Sequence, residues 1–204
     1  MTQPPGVAAG ARLLLFAPGA GAPSTSAWME GWAGRLAALG VVRRFDYPYV
    51  RAGRGRPDPQ PVLVAAHREA LAAARAGCAG RVVLVGKSMG GRIGCHVALE
   101  ESVAALVCLG YPLVGRAGEL RDAVLRALGT PVLFVQGTRD RLAPLDALER
   151  VRRQMRAPTE LHVVETGDHS LLATRTWLAA HGATQADVDA RVAAVVATFL
   201  AAHA

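Results

Sequence analysis

The chain has 204 residues, 51% hydrophobic and 19% charged, a balance that suits one globular domain over residues 1–204 and excludes a disordered chain. Its formal charge is +7, from 23 basic residues (all arginine except Lys87) against 16 acidic ones. That charge attracts anions non-specifically, but no zinc-finger spacing or arginine–aromatic pattern accompanies it, so nucleic acid is not an expected partner.

Short apolar runs alternate with segments of helical period along the chain. The first run, Arg12–Ala17, reads as a strand, because its apolar core is too short for a secretory leader. A glycine-rich turn, Pro18-Gly19-Ala20-Gly21, follows it. The stretch 26–40 then places Trp28, Trp32, Leu36 and Leu39 on one helical face. Val41–Tyr47 reads as the second strand, and residues 51–61 as a proline-rich loop carrying Arg51, Arg54 and Arg56. A helix over 60–77 ends at Gly77, a C-terminal glycine signal.

Arg81–Gly86 is the third strand candidate, followed by a helix from Met89. Ala104–Leu109, Pro131–Gln136 and Leu161–Glu165 are further strands, with short helices over 118–129 and 144–157 between them. The last segment, 184–204, opens with Thr184 and Asp187 in capping-box spacing and carries a buried stripe from Val188 to Leu200. No run reaches the roughly 18–20 apolar residues of a membrane helix, so no membrane partner is expected. Cys78, Cys95 and Cys108 are odd in number, widely spaced and outside any C-x-x-C pattern. They form neither a disulfide framework nor a zinc site, which points to a reducing cytoplasm, with Cys95 and Cys108 as small buried hydrophobes.

Strands apolar on both faces and separated by helices imply a mostly parallel sheet of about six strands, covered on both sides. Such folds put their chemistry in the loops at the carboxyl ends of the strands. One of those loops lies inside RVVLVGKSMGGR, residues 81–92. A phosphate-binding P-loop would need a glycine where Arg81 stands, and loop residues where Val82 to Val85 read as strand. The alternative, Gly86-Lys87-Ser88-Met89-Gly90, is a G-x-S-x-G elbow between strand and helix. It exposes Ser88 as a nucleophile and points the helix amino terminus at a developing oxyanion. The Met89 amide is one expected oxyanion donor, and the Ala20 amide of the first loop is the other.

A serine nucleophile needs a base and an orienting carboxylate. His67, His96, His162, His181 and His203 fall in helices, a strand, a connection and the tail, which leaves His169 in the loop beyond the last strand. Asp140 lies just past the fifth strand, and the order Ser88, Asp140, His169 is that of the α/β-hydrolase fold. Asp168 is the rival acid, expected to brace its own loop instead. No metal or other cofactor is called for.

The segments GKSMGGR, LVCLGYPL, PVLFVQGTRD and GDHSL together resemble the α/β-hydrolase-like family of testis-expressed protein 30 and the nonspecific-lethal complex subunit, whose bacterial members are called dienelactone-hydrolase-like. The resemblance spans about residues 12–172. It implies a compact α/β-hydrolase fold without a cap domain, and Ser88, Asp140 and His169 as the catalytic set. The family commonly has histidine-glycine in the first loop, where this chain has Pro18-Gly19. Some of its members look like scaffolds, so a non-catalytic binding role and an acyltransferase stand beside hydrolysis of small esters or thioesters. Arg51, Arg54 and Arg56 are expected to attract an anionic substrate if they do more than solvate their loop. Lys87 is expected to form a structural salt bridge behind the elbow.

Overall fold

The computed structural model describes residues 12–78, 80–115 and 117–204. In chain order the elements are β1 (Leu13–Ala17), α1 (Ala27–Leu36), β2 (Val41–Arg44), α2 (Pro48–Arg51), α3 (Gln60–Ala76), β3 (Val82–Lys87) and α4 (Met89–Val97). There follow β4 (Ala105–Leu109), α5 (Ala123–Ala127), β5 (Val132–Gly137), α6 (Leu145–Arg152), β6 (Thr159–Val164), α7 (Arg175–Ala180) and α8 (Gln185–His203). The six strands form one sheet in the order β2-β1-β3-β4-β5-β6, every neighbouring pair parallel.

Burial explains the strand assignments. All residues of β1, β3, β4 and β5 are buried, whereas the edge strands β2 and β6 are largely half-buried or exposed. Alternate residues serve opposite faces, as the period of two requires. Leu13, Leu15, Leu84, Leu106 and Phe134 pack under one helical layer with Leu71, Cys95 and Leu148. Leu14, Phe16, Val85, Val107 and Val135 pack on the other face against Trp32 of α1 and Val192, Val196 and Phe199 of α8. Each such side chain contributes about 1.5–3 kcal/mol relative to exposure. Cys95 and Cys108 are buried as expected, with sulfurs 3.9 Å apart.

Two strand bounds and one helix differ most from the sequence reading. Pro48 starts α2 and cannot continue a ladder, so β2 stops at Arg44, before Tyr47. β6 begins at Thr159, ahead of its apolar core, because an edge strand tolerates polar residues. α7 lacks any buried residue and therefore shows no apolar period. α8 carries the expected capping box, with Thr184 and Asp187 bonding reciprocally. Among the described residues no helix is long and apolar enough to cross a membrane.

The strand order sets the location of the site. From β1 the chain moves outward to β2, then returns to place β3 on the other side of β1. At such a reversal the loops after the two inner strands diverge and leave a crevice at their carboxyl ends. Here those loops are Pro18–Gly21 and the turn at Ser88.

Candidate active site

Ser88 sits between the end of β3 and the start of α4, with φ 49° and ψ −115°. A non-glycine residue at positive φ stores about 1–3 kcal/mol of strain and persists only where its surroundings hold it. The glycines on either side make the turn possible. A Cβ on Gly86 would stand 2.1 Å from the Gly91 nitrogen, and one on Gly90 would stand 2.4 Å from the Ala17 carbonyl oxygen. Strand, helix and first loop therefore meet backbone to backbone, and Oγ is left at the rim.

The loops after β5 and β6 converge on it in the same way. A Cβ on Gly137 would lie 2.2 Å from the Gly167 carbonyl oxygen, and the Arg139 amide donates to that oxygen at 2.9 Å. This contact sets Asp140 beside His169. Nδ1 of His169 lies 2.7 Å from Asp140 Oδ2, and Nε2 lies 2.8 Å from Ser88 Oγ. A carboxylate only accepts, so Nδ1 carries the proton and Nε2 is the acceptor facing the serine hydroxyl. The Asp140 side chain is fully buried. Besides Nδ1, it accepts from the Leu142 amide at 2.9 Å and from Gln136 Nε2. Gln136 is itself fixed by the Tyr111 amide, 3.0 Å from its Oε1.

Asp168 braces its loop as expected, since its Oδ1 accepts from the amides of Ser170 at 2.7 Å and Leu172 at 3.0 Å. Lys87 departs from the expected salt bridge. Its ammonium donates to the His169 carbonyl oxygen and stands 5.4 Å from the centre of the Trp28 ring. Burial pulls its pKa down to about 8, with Asp140 and Asp168 pulling the other way. Trp28 completes the brace, because its Nε1 donates to the Ser170 carbonyl at 2.9 Å. Lys87 and Trp28 thus hold two successive carbonyls of the histidine loop.

Ala20 and Met89 line the crevice beside Ser88, and among the described residues neither backbone N–H is engaged by a main-chain acceptor. The Tyr49 hydroxyl of α2 holds the first loop by donating to the Ala20 carbonyl at 3.1 Å. Pro18 is buried, and this tyrosine contact from outside the loop anchors the turn.

Of the three arginines singled out in the 51–61 loop, only Arg56 shares a cavity with Ser88. Arg51 lines a separate depression with Asp46 and Glu69, and Arg54 is paired with Asp58 at 2.7 Å. Sequence reading missed Trp28, Tyr49, Gln136, Arg92 and Arg121. Trp28 carried only its helical apolar period, and the others act through backbone contacts or depend on tertiary proximity. Among the described residues no group of three His, Cys, Asp or Glu side chains is placed to hold a metal ion.

Comparison with solved structures gives the same fold. An α/β serine hydrolase homologue from Coxiella burnetii matches with a TM-score of 0.72 at 21% identity, covering 97% of this chain and 88% of that one. A dienelactone hydrolase from Anabaena variabilis matches at 0.70 and 20% identity, covering 97% and 89%. The esterase domain of a Rhodothermus marinus protein matches at 0.66 and 18% identity, covering 97% and 90%. At such identities the likeness speaks for the fold. The sequence model of the alpha/beta hydrolase domain family matches residues 10–201, and the chain belongs to that family.

Proposed function

We propose that this protein is a serine hydrolase that cleaves small carboxylic esters or thioesters through an acyl-enzyme on Ser88. The observation that supports it is the unbroken line of hydrogen bonds from Ser88 Oγ through His169 to the buried Asp140 carboxylate. As Oγ attacks the carbonyl carbon, its proton passes to Nε2, and Asp140 stabilises the imidazolium that forms. The Met89 amide, at the amino end of α4, and the Ala20 amide of the first loop receive the oxyanion. The imidazolium then protonates the leaving group, and water, deprotonated in turn by His169, releases the acid.

Every group this sequence requires belongs to the chain itself. Among the described residues the short connection between β4 and β5 contains one helix, α5, which leaves the site open and suits small soluble acyl compounds. The test is reaction with a fluorophosphonate probe, followed by hydrolysis of nitrophenyl esters and acyl thioesters. Wild type is expected to be labelled and to turn over, and Ser88→Ala is expected to do neither. Equal labelling of the two proteins would refute the proposal and favour a binding role.

A further inference from the structure

Ser88 stands on the wall between two cavities of opposite character. One, of about 390 Å³, is lined by Trp28, Met29, Leu142, the glycine-rich first loop and His169. The charged group there, Lys87, is committed to the His169 carbonyl and the Trp28 ring. The other, of about 340 Å³, is lined by Met89 and by Arg56, Arg92 and Arg121.

The second cavity is cationic by construction. Arg92 lies one helical turn after the nucleophile, its amide donating to the Ser88 carbonyl at 3.1 Å. Its guanidinium gives one N–H to Gln60 at 2.6 Å, while its Nε is buried with no partner among the described residues. Among the described residues Arg121 pairs with the exposed Glu119 alone, at 3.6 Å. Asp58 is the carboxylate on this wall; its Oδ1 is paired with Arg54 at 2.7 Å, and its Oδ2 is buried with no partner among the described residues. Burial and the neighbouring Arg121 both disfavour the charge on Arg92. Three arginines around one cavity, whose single carboxylate is already paired with Arg54, make a receptor for an anion, and arginine suits a carboxylate best.

The chemistry decides which part of a substrate enters which cavity. The leaving alcohol takes its proton from His169 Nε2. It must therefore depart on the side that His169 lines, which is the apolar Trp28 cavity. With the carbonyl oxygen on the Ala20 and Met89 amides, the acyl chain runs the other way, toward the arginines. We propose that the substrate is a monoester of a short dicarboxylic acid with an apolar alcohol, its free carboxylate held by Arg92 with Arg121 and Arg56 around it. This rests on the hydrolase reading above. The Oγ–C bond forms as the serine proton passes to His169, and the C–O bond to the alcohol breaks as that proton follows the alcohol. Water then divides between the acyl carbon and the serine, releasing the dicarboxylate.

The test compares kcat/KM for the 4-nitrophenyl monoester of glutaric acid with that for 4-nitrophenyl valerate, which has the same chain length without the charge. Hydrogen bonds to charged groups predict a preference of about 10- to 100-fold for the anionic ester. Added salt should weaken it, and Arg92→Gln and Arg121→Gln should each reduce it. Arg153→Gln, with the same loss of charge at an exposed position on the far end of α6, is expected to keep it. Fluorophosphonate titration gives the competent fraction of every variant, so misfolding is counted separately. Equal rates on the two esters with Ser88 still labelled, or a preference untouched in both cavity variants, would overturn the substrate assignment alone. Absence of both labelling and turnover would overturn it together with the hydrolase reading. An ester with the charge on its alcohol, the butyrate of 4-hydroxybenzoate, should show no advantage over the butyrate of the methyl ester; a 10-fold advantage would reverse the assignment of the two sides.

Discussion

Replacing Lys87 by methionine tests the brace beneath the histidine loop with a number attached. Burial lowers the pKa of this lysine from 10.5 to about 8. The unfolded chain therefore holds a proton that the folded chain has released between those two values. Stability rises with pH wherever the unfolded state binds more protons. Below pH 8 both states carry the ammonium and the full cost of burying it is present; through the window above pH 8 that cost is relieved. At about 1.36 kcal/mol per pH unit, the lysine should gain the wild type about 2–3 kcal/mol between pH 7 and pH 10. Buried tyrosines act in the opposite direction at the alkaline end, but they are common to both proteins and cancel in the difference. Urea unfolding of wild type and Lys87→Met at pH 7, 8, 9 and 10 measures it. The difference between the two proteins should move toward the wild type by about 2–3 kcal/mol across that range. Parallel pH profiles would mean that the ammonium is not desolvated by the fold.

Lys87→Met should also lower ester turnover by about 10- to 100-fold, because the histidine carbonyl loses its donor and the imidazole its fixed position; unchanged kcat would show that the loop holds itself. Asp140→Asn should reduce kcat by about 10⁴ with little change in secondary structure, as the imidazole loses the partner that fixes its tautomer. Tyr49→Phe removes the hydrogen bond to the Ala20 carbonyl. It should cost about 1 kcal/mol of stability and, through a looser first loop, lower kcat more than it raises KM. His67, fully buried against Tyr47, has its pKa pushed down to about 3 by burial. Its neutral form is favoured in the fold, so stability should fall as pH drops from 6.5 toward 3, and less steeply in His67→Phe, measured as Tm against pH.

The sheet was legible because its four central strands are buried on both faces and read as uninterrupted apolar runs of four to six residues. The edge strand β6 reads in the sequence as Leu161–Glu165 rather than Thr159–Val164, because its residues are mostly half-buried or exposed and mixed in character, so its start carries no apolar signal. Ser88, Asp140 and His169 were legible for a different reason: each follows a recognisable strand, and G-x-S-x-G is itself a backbone constraint that the sequence must satisfy with glycine. Their supports were not. Lys87 looked like half of a salt bridge because a lone lysine suggests a carboxylate, yet its partner is a main-chain oxygen 82 positions away. Main-chain acceptors leave no trace in side-chain identity, and the same holds for Tyr49 on the Ala20 carbonyl and Trp28 on the Ser170 carbonyl. Arg92 and Arg121 come together only through the packing of α4 against the connection before α5. Clustering along the chain therefore singled out Arg51 and Arg54, which face other depressions.

The proposed chemistry requires a covalent ester on one hydroxyl. Rapid mixing with 4-nitrophenyl acetate, followed by acid quench and peptide mass analysis, observes it directly. A burst of nitrophenolate approaching the enzyme present and an acetyl group on the peptide that carries Ser88 are expected, both absent from Ser88→Ala. Turnover that survives in Ser88→Ala, or an acetyl group found only on another side chain, would contradict that chemistry.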